Sequence, residues 1–334
     1  MCERSSAASE AFVEVTDSLR RAREVLLVTH ARPDGDGLGS MRALALAAGS
    51  AEKTVHLFVP DKIPTRLEFL LSGSECVAVG QFEALADRAD LIVVLDTCAK
   101  EQLDAAAEGI ARRRDKVAVI DHHATGDDLG GAAWIDPSAA ATGVMVGELI
   151  DALGWPLKKE IAEALMAAIV TDTGWLRFAN TDGRCLRAVA RWTDAGVRPD
   201  VLYRRIHQND RPERLRLLVR VLESMEFYFA GCLAVMTLRQ ADFVETGAHT
   251  NETENMVNEA LRIATVESAI LLVQNGDCVR VNLRSRDRVN VARLAGRFGG
   301  GGHRRAAGLR STEDIETLKE RLVEACGQAL SESK

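Results

Sequence analysis

The chain has 334 residues, of which 47% are hydrophobic and 27% charged, and its formal net charge is −7. This composition suits a globular protein with room for two domains, and the charge has the wrong sign for a protein that coats long nucleic acid. Seven cysteines without framework spacing indicate reduced thiols, and apolar runs such as Leu91–Leu95 are too short to span a bilayer. Because the N-terminus also lacks a secretory signal pattern, we expect a cytoplasmic protein without a membrane segment.

Short apolar strands alternate with helical segments in the first part of the chain. After a leading helix at 10–24, the pattern predicts strand 25–29, helix 38–49, strand 54–59, helix 64–71, and strands 76–79, 91–95 and 117–120. Helices then dominate from about Gly143 to Gln208. This alternation is typical of a parallel sheet covered by helices.

A charged helical segment separates this region from a second one that is rich in strands. Strands are predicted near 227–238, 268–274 and 278–284, followed by a glycine run and a final helix from about Thr312. We therefore predict an α/β fold with two domains. The predicted parts are a parallel-sheet N-terminal domain (1–195), a helical linker (196–225) and a smaller α+β C-terminal domain (226–334).

Side chains that can bind metal stand where the apolar elements of the first domain end. They are, in chain order, His30, Asp34, Asp36, Asp96, Asp121, His122, His123 and Asp172. Because the carboxyl ends of parallel strands form the ligand crevice of an open sheet, residues far apart in sequence can converge there. Imidazoles mixed with carboxylate oxygens suit Mn²⁺, Mg²⁺ or Fe²⁺ rather than the thiolate-rich site of structural zinc.

Each of these residues also has an ordinary structural explanation when it is taken alone. Asp34–Gly37 is a common type of turn, Asp96 could cap a helix, and Asp172 could simply end one. A calcium-binding loop is excluded, because Leu38 and Ala45 stand where that loop needs a polar ligand and a glutamate. A dinucleotide-binding turn would set two carboxylates against a pyrophosphate, a repulsion that a bound cation removes.

The C-terminal domain concentrates positive charge. From Arg280 to Arg310 there are nine arginines against one acid, Asp287, which suits a small polyanionic ligand; solvated helix faces are the alternative. The run Gly296–Gly308 could be a flexible linker. However, consecutive glycines followed by His303 and two arginines favour close backbone approach to a phosphate or a base.

The order of these residues resembles the DHH phosphoesterases over nearly the whole chain. The matching signature is His30-x-x-x-Asp34-x-Asp36, then Asp96, then Asp121-His122-His123, then Asp172. The GGGGH run with a preceding Arg-Ser-Arg resembles the DHH-associated substrate-binding domain, and the length is similar to the nanoRNase/pAp phosphatase branch. The extra or different domains of RecJ-type exonucleases, membrane cyclic-dinucleotide phosphodiesterases and family II pyrophosphatases do not match this chain.

The resemblance implies a role for each site residue. Two divalent ions are expected, with Asp96 bridging them, and the mixed ligands favour Mn²⁺ over Mg²⁺. The first ion would be held by His30, Asp34 and Asp96, and the second by Asp36, Asp96, His122 and Asp172. The catalytic residues would be His123, which contacts the scissile phosphate, and Asp121, which orients a ligand. The substrate-binding residues would be Arg284, Arg286, Gly301, Gly302, His303 and Arg304, with Arg305 as a competing phosphate clamp.

The resemblance also implies an activity. We expect hydrolysis of short oligoribonucleotides, about two to five nucleotides long, to 5′-mononucleotides, with removal of the 3′-phosphate of pAp as a further activity. Linear or cyclic dinucleotide messengers are alternative substrates, and a nucleotide-binding regulator without catalysis is the alternative from another class. The complete ligand set argues against the regulator. The direction of cleavage, 3′–5′ or 5′–3′, and a homodimeric assembly stay open.

Overall fold

The computed structural model describes residues 6–332, which form two compact units. The first unit ends at Asn209 and the second begins at Asp210. Within residues 6–332, no helix combines the length and the apolar character that crossing a membrane requires. The cysteines in the described part of the chain are unpaired thiols: Cys76, Cys98, Cys185, Cys232, Cys278 and Cys326.

A parallel sheet forms the centre of the first unit. Its strands are β1 (Glu24–Thr29), β2 (Thr54–Phe58), β3 (Leu91–Leu95), β4 (Val117–Asp121) and β5 (Ala132–Ile135). Their order across the sheet is β2-β1-β3-β4-β5. The α-helices of the unit are α1 (Ser6–Arg21), α2 (Gly35–Ser50), α3 (Phe82–Arg88), α4 (Ala107–Ala111), α5 (Thr142–Ala152), α6 (Lys159–Asp172), α7 (Gly183–Asp194) and α8 (Pro199–His207).

Both faces of this sheet are buried. Along β1, Val25 and Leu27 belong to one apolar cluster, which includes residues of α2, α5 and α6. Leu26 and Val28 belong to a second cluster on the opposite face, because successive side chains of a strand point to opposite sides. Burial on both faces explains why β1, β3 and β4 are continuous apolar runs in the sequence.

The predicted α/β fold with a parallel N-terminal sheet is confirmed, although some predicted elements differ. The strand predicted at 76–79 is wrong, because this segment makes a single bridge between Cys76 and Leu57. The segment predicted as a helix at 64–71 forms a 3₁₀ helix, Thr65–Leu71. Strand β5 is missing from the predicted elements, since four residues offer too short a pattern.

The tetrapeptide Asp34–Gly37 begins a helix instead of forming an independent turn. Asp34 is the N-cap of α2, and its carboxylate accepts hydrogen bonds from the backbone N–H groups of Asp36 and Gly37. Further along α2, a Cβ atom on Gly39 would lie 2.6 Å from the carbonyl oxygen of Ala164 in α6. Glycine in this stretch therefore allows α2 and α6 to pack closely, and α2 begins earlier than predicted.

The second unit contains a mixed sheet and confirms the predicted α+β character of the C-terminal part. Its elements are α9 (Pro212–Glu223), β6 (Glu226–Tyr228), β7 (Leu233–Leu238), α10 (Gln240–Thr246), β8 (Ser268–Asn275), β9 (Cys278–Ser285), α11 (Val291–Gly296), β10 (Gly301–His303), β11 (Ala306–Ser311) and α12 (Ile315–Glu332). The strand order is β10-β11-β9-β8-β7-β6. Strands β7 and β8 run parallel, and the other neighbouring pairs are antiparallel.

The segment predicted as a helical linker, 196–225, contains two helices. Helix α8 lies in the first compact unit and α9 in the second, so the division between the units falls in the short segment that joins these helices. Pro199 and Pro212 stand at the first position of α8 and α9, respectively. Proline suits this position because its missing N–H group would have no partner within the helix.

Candidate functional site

Three adjacent strands bring the predicted metal ligands to one edge of the parallel sheet. His30 follows β1, Asp96 follows β3, and His122 follows β4. Asp36 lies in the first turn of α2, and Asp172 is the last residue of α6. Because the carboxyl ends of parallel strands meet at the same edge, residues from His30 to Asp172 share one site.

Asp96 lies between two histidines, and each of its carboxylate oxygens faces one of them. Its Oδ2 is 3.5 Å from Nε2 of His30, and its Oδ1 is 3.6 Å from Nε2 of His122. Nε2 of His30 is also 3.7 Å from Oδ1 of Asp34. His30, Asp34 and Asp96 therefore form one group of potential ligand atoms.

His122 is the centre of a second group of potential ligand atoms. Its Nε2 lies 3.7 Å from Oδ2 of Asp36 and 3.9 Å from Oδ2 of Asp172. Asp36, His122 and Asp172 lie close enough for their ligand atoms to share a metal ion. Asp96 is a member of the first group and also faces the second, because its Oδ1 points to His122.

The backbone of Asp96 has an unusual conformation. Its φ is +65°, in the left-handed region that few residues other than glycine adopt. The N–H group of Asp96 donates to the carbonyl oxygen of Ile120, and only 2% of the residue surface is exposed. Such strained positions concentrate at functional sites, where the surrounding structure enforces them.

Burial and mutual repulsion disfavour the negative charges of Asp36, Asp96 and Asp172. Burial raises the pKa of Asp36 well above its ordinary value, and the charges of Asp96 and Asp172 raise it further. Burial also raises the pKa of Asp96, and it raises the pKa of Asp172 to about 6. Burial would lower the pKa of His30, but the carboxylates of Asp34 and Asp96 raise it to about 10. The cluster therefore strongly attracts positive charge.

The His122 ring fits a metal ligand. Its Nδ1 is 3.2 Å from the carbonyl oxygen of Ala139, which places the ring proton on Nδ1. Its Nε2 is buried and has no hydrogen-bond partner among residues 6–332, although three carboxylates surround it. A buried nitrogen lone pair that faces carboxylates is explained by a cation between them. Imidazole and carboxylate donors together fit divalent ions such as Mn²⁺ or Mg²⁺.

The predicted catalytic pair, Asp121 and His123, is brought together beside these groups, and His123 also forms a third group of potential ligand atoms with Asp96 and His122. Oδ1 of Asp121 accepts hydrogen bonds from the backbone N–H of His123 at 3.1 Å and from its ring Nδ1 at 2.7 Å. Asp121 is fully buried, whereas 41% of the His123 side chain is exposed. The carboxylate of Asp121 raises the pKa of His123 to about 9. His123 is thus held by a buried carboxylate and accessible to a ligand.

Several residues that position the carboxylates were not found by sequence reasoning. The Thr142 hydroxyl donates to Oδ1 of Asp96 at 2.9 Å, and the Thr142 N–H donates to Oδ2 of Asp36 at 2.7 Å. The N–H of Gly143 donates to Oδ1 of Asp36 at 2.9 Å. The side-chain amide of Asn180 donates to Oδ2 of Asp172 at 3.2 Å. A threonine before a glycine at a helix start is the only sequence signal at this position, and it is weak.

The glycine run in the second unit forms an edge strand instead of a flexible linker. Arg284 on β9 and His303 on β10 both lie opposite Ala306 of the intervening strand β11. Residues directly opposite each other share a face of a sheet, so Arg284 and His303 lie on the same face. Gly302 has a φ of +142°, and a Cβ atom there would be 2.5 Å from the carbonyl oxygen of Ala306. Glycine is therefore required at this position.

The structure separates Arg286 from Arg284. Although the two alternate in the sequence, they do not share a strand face, because β9 ends at Ser285 and Arg286 lies beyond it. The Arg286 guanidinium donates to three backbone carbonyl oxygens, those of Leu261, Ile263 and Ala264. It stabilises the local chain.

The paired arginines that follow the glycine run lie in the turn between β10 and β11. Arg304 donates to the carbonyl oxygen of Asp287 at 3.2 Å, and Arg305 donates to its carboxylate at 2.7 Å. Asp287, the one acid in the basic stretch, thus contacts both arginines. Arg284 lies on β9 instead of in this turn. Its guanidinium donates to the carbonyl oxygen of Leu283 at 3.0 Å and is partly buried.

Each of the two units contains a match to a known protein domain. Residues 24–169 match the DHH family, N-terminal domain, and residues 231–332 match the DHHA1 domain. A bifunctional oligoribonuclease and PAP phosphatase, NrnA of Thermus thermophilus, is 32% identical over 308 residues, which cover 92% of this chain and 90% of that protein. The chain belongs to the DHH family. The predicted family and its associated C-terminal domain are confirmed.

Two further relatives extend the match over most of the chain. NrnA of Bacillus subtilis, also named a bifunctional oligoribonuclease and PAP phosphatase, is 26% identical and covers 88% of this chain and 94% of its own. The crystal structure of an exopolyphosphatase-related protein from Bacteroides fragilis superimposes with a TM-score of 0.89 at 26% identity, covering 97% of this chain and 96% of that one. The prediction of a hydrolase of the DHH family is confirmed.

Most of the predicted metal ligands lie within the residues that match the DHH domain. The DHH domain match, 24–169, includes all the ligands from His30 to His122, whereas Asp172 lies just beyond it. The DHHA1 match, 231–332, includes Arg284 and His303.

Proposed function

We propose that this chain is a divalent-metal-dependent phosphodiesterase that hydrolyses oligoribonucleotides of about two to five nucleotides to 5′-mononucleotides. The observation that carries the proposal is the position of Asp96, whose two oxygens face His30 and His122 within separate ligand groups. The relatives named oligoribonuclease and PAP phosphatase support the substrate class, and removal of the 3′-phosphate of pAp is part of the proposal.

The ligand groups support two divalent ions. We assign one ion to His30, Asp34 and Asp96, and the other to Asp36, Asp96, His122 and Asp172. Two imidazoles in the set favour Mn²⁺ over Mg²⁺. When bound, such ions neutralise charge on the phosphodiester and lower the pKa of a bound water from ~15.7 towards ~7.

The residues beside the ligand groups bind and orient the substrate. Asp121 fixes the His123 ring through Nδ1, so the ring can contact an oxygen of the scissile phosphate as negative charge develops there. Thr142 and Asn180 hold the carboxylates of Asp96 and Asp172 by hydrogen bonds, which limits the geometries that the ligands can adopt.

The second unit carries a proposed phosphate- or base-binding site of its own. We assign a terminal phosphate or base to Arg284, Gly301, Gly302 and His303, because Arg284 and His303 share a sheet face and Gly302 exposes its backbone. A guanidinium suits a phosphate because its planar donors match the phosphate oxygens. Arg286 and Arg304 contribute charge to this region, although both donate to backbone carbonyl oxygens.

Product analysis tests this proposal. The purified protein is incubated with Mn²⁺, or with EDTA as a control, on four substrates: a 5′-phosphorylated diribonucleotide, pAp, a cyclic dinucleotide and a 24-mer RNA. We expect metal-dependent mononucleotides from the diribonucleotide, formed faster than from the 24-mer. Equal rates on both RNAs would contradict the preference for short substrates. If the cyclic dinucleotide is cleaved fastest, dinucleotide messengers replace short oligoribonucleotides as the proposed substrates. If the protein binds metal but turns over none of the four substrates, a nucleotide-binding regulator is favoured.

Two other properties belong to the same proposal. Unpaired cysteines throughout the described residues support a reducing compartment, and cell fractionation tests the cytoplasmic location. Light scattering on the purified protein decides whether it forms a homodimer.

A further inference from the structure

The chain makes a strained turn directly after α6. Gly174, Trp175 and Leu176 all have left-handed backbones, with φ values of 55°, 62° and 62°. Two successive non-glycine residues in this region are costly unless the structure enforces them. The N–H of Trp175 donates to the carbonyl oxygen of Val170 at 2.7 Å, and the N–H of Leu176 donates to the hydroxyl of buried Thr173 at 3.1 Å. The turn therefore fixes the position of Trp175.

Trp175 forms an aromatic corner with two residues of α8. Its ring meets the ring of Tyr203 edge-on, with centroids 4.8 Å apart and an angle of 81° between the planes. The ring of His207 lies 5.6 Å from that of Trp175, also at 81°, and 5.0 Å from that of Tyr203. We call Trp175, Tyr203 and His207 the aromatic corner. In an edge-on pair, the edge of one ring covers only one face of its partner, so the other ring faces are not used by the pair.

A shallow surface pocket of about 380 Å³ lies against Trp175 and Tyr203. Trp175 and Tyr203 line it together with Asp200, Arg204 and Gln208. Ring faces next to hydrogen-bonding side chains match a nucleobase, which is flat and has polar edges. Tyr203 is 38% exposed, so part of its ring is accessible.

The aromatic corner lies close to the proposed metal ligands. Trp175 follows Asp172 by three positions, and consecutive Cα atoms are 3.8 Å apart, so the two Cα atoms are at most ~11 Å apart. A nucleotide whose phosphate lies at the ligand groups can therefore reach the corner with its base. The side chain of Arg204 also lines the pocket and adds positive charge near an anionic substrate, although Asp200 lies 3.6 Å from it.

We propose that Trp175 and Tyr203, with the His207 ring packed against both, form a stacking site for a base of a nucleotide next to the scissile phosphate. This inference rests on the proposed function, because it assumes that an oligonucleotide binds at the ligand groups. Stacking on aromatic rings tolerates any base, since every base has a π-face. The site would therefore bind short RNA without selecting a sequence.

The competing explanation is that these rings only pack α8 against the turn after α6. Trp175 also contacts the apolar core of the unit, so its replacement would disturb packing in either case. Tyr203 separates the two explanations better, because it is exposed on α8. Tyr203→Leu removes the π-face and keeps an apolar side chain, whereas Tyr203→Phe keeps the ring.

The test compares normal and abasic substrates. Wild type, Tyr203→Leu and Tyr203→Phe are assayed with Mn²⁺ on a 5′-phosphorylated diribonucleotide and on two analogues, each lacking one of the two bases. Stacking predicts that Tyr203→Leu raises KM on the intact substrate by roughly tenfold or more, with little change in kcat, while Tyr203→Phe resembles wild type. On one of the abasic analogues, wild type and Tyr203→Leu should have equal KM. Phe227→Leu, which changes an exposed aromatic residue of the second unit, is the matched control.

The outcomes separate this inference from the proposed function. An equal rise in KM on all three substrates, or no rise at all, overturns stacking while leaving the phosphodiesterase intact. If wild type cleaves no dinucleotide, the proposed function fails, and calorimetry with adenosine 5′-monophosphate and ribose 5-phosphate then tests base binding directly. If Tyr203→Leu weakens the binding of adenosine 5′-monophosphate but not that of ribose 5-phosphate, base stacking at the aromatic corner is supported. If it changes the binding of neither ligand, the stacking site is overturned.

Discussion

The hydroxyl of Thr142 donates a hydrogen bond to Oδ1 of Asp96 at 2.9 Å, and both residues are buried. The same oxygen of Asp96 faces Nε2 of His122. Thr142 therefore decides how the carboxylate that lies between the two ligand groups is oriented. A residue at the start of α5 thus acts on both groups without being a ligand.

Thr142→Val tests this orientation. Valine keeps the branched shape and the backbone N–H bond to Asp36, but it leaves Oδ1 of Asp96 without its donor. We expect Mn²⁺ affinity to fall by about 10–100-fold, as for other residues that support metal ligands. Thr142→Ser, which keeps the hydroxyl, should stay close to wild type. Calorimetric titration with Mn²⁺ measures both, and equal affinities for the valine variant and wild type would contradict the assigned role.

Replacement of Asp96 should affect both ions. Asn suits the left-handed backbone of Asp96 better than most residues, so Asp96→Asn should fold. We expect turnover to fall by more than ~100-fold, since loss of a supporting residue alone costs about 10–100-fold. Metal analysis should show fewer bound ions per chain. Asp61→Asn, at an exposed carboxylate, is the control. Normal metal content in Asp96→Asn would contradict the proposal that Asp96 binds both ions.

Removal of one crowded charge should stabilise the metal-free protein. Burial raises the pKa of Asp172 to about 6, so its ionised form is unfavourable at neutral pH without a cation. In EDTA, Asp172→Asn should therefore melt a few degrees above wild type, because about 1 kcal/mol shifts the Tm of such a domain by roughly 2–4 °C. With Mn²⁺ the order should reverse, since wild type binds the ion more tightly. Calorimetric melting in EDTA and in Mn²⁺ measures these Tm differences. An equal Mn²⁺-induced rise in Tm for wild type and Asp172→Asn would argue against Asp172 as a ligand.

Two glycines of α2 should respond oppositely to alanine. A Cβ atom on Gly39 would lie 2.6 Å from the carbonyl oxygen of Ala164, so Gly39→Ala should destabilise by about 1–3 kcal/mol despite its better helix propensity. A Cβ atom on Gly49 would meet nothing within 4 Å, so Gly49→Ala should stabilise by roughly 0.5–1 kcal/mol. Urea unfolding measures both changes. A neutral Gly39→Ala would mean that α2 and α6 can move apart at little cost.

Glu267 should contribute to the acid stability of the second unit. Burial would raise the pKa of Glu267, but hydrogen bonds from the N–H groups of Asp287 and Arg288 and from the Ser285 hydroxyl lower it. A lowered pKa in the folded state stabilises above the unfolded value near 4.5, and this contribution is lost as the pH falls through the folded value. Glu267→Gln should therefore be less stable than wild type at pH 7, with a smaller difference at pH 3.5.

Urea unfolding followed by circular dichroism at the two pH values measures that difference. Glu320→Gln, at an exposed position of α12, serves as the control. A stability difference for Glu267→Gln that is the same at both pH values would show that its hydrogen bonds do not depend on charge.

The convergence of residues from His30 to Asp172 at one edge of the sheet could be predicted because the strands that carry them are evident in the sequence. Runs such as Leu91–Leu95 are apolar on both faces, and parallel strands place their ends at one edge. Thr142 could not be found in this way, because its contacts depend on how α5 begins beside Asp36 and Asp96. The backbone N–H of Gly143 donates in the same manner and leaves no mark in the sequence.

The second unit shows where pattern reasoning fails. Gly301–His303 has neither polar alternation nor branched residues, so nothing in the sequence indicates the edge strand β10. Arg284 and Arg286 alternate in the sequence as residues on one strand face do, but the strand ends between them, at Ser285. The end of a strand depends on its neighbours, and those are known only from the fold.

The ligand groups of the first unit draw on residues from His30 to Asp172, which are supplied by β1, α2, β3, β4 and α6. An unfolded chain cannot hold these residues together, so an ion that needs all of them binds the folded state alone. By mass action, each rise in free metal concentration then lowers the fraction of molecules that are open to proteolysis. With the proposed ions, the supply of metal would therefore contribute to the lifetime of the protein, whatever substrate is present.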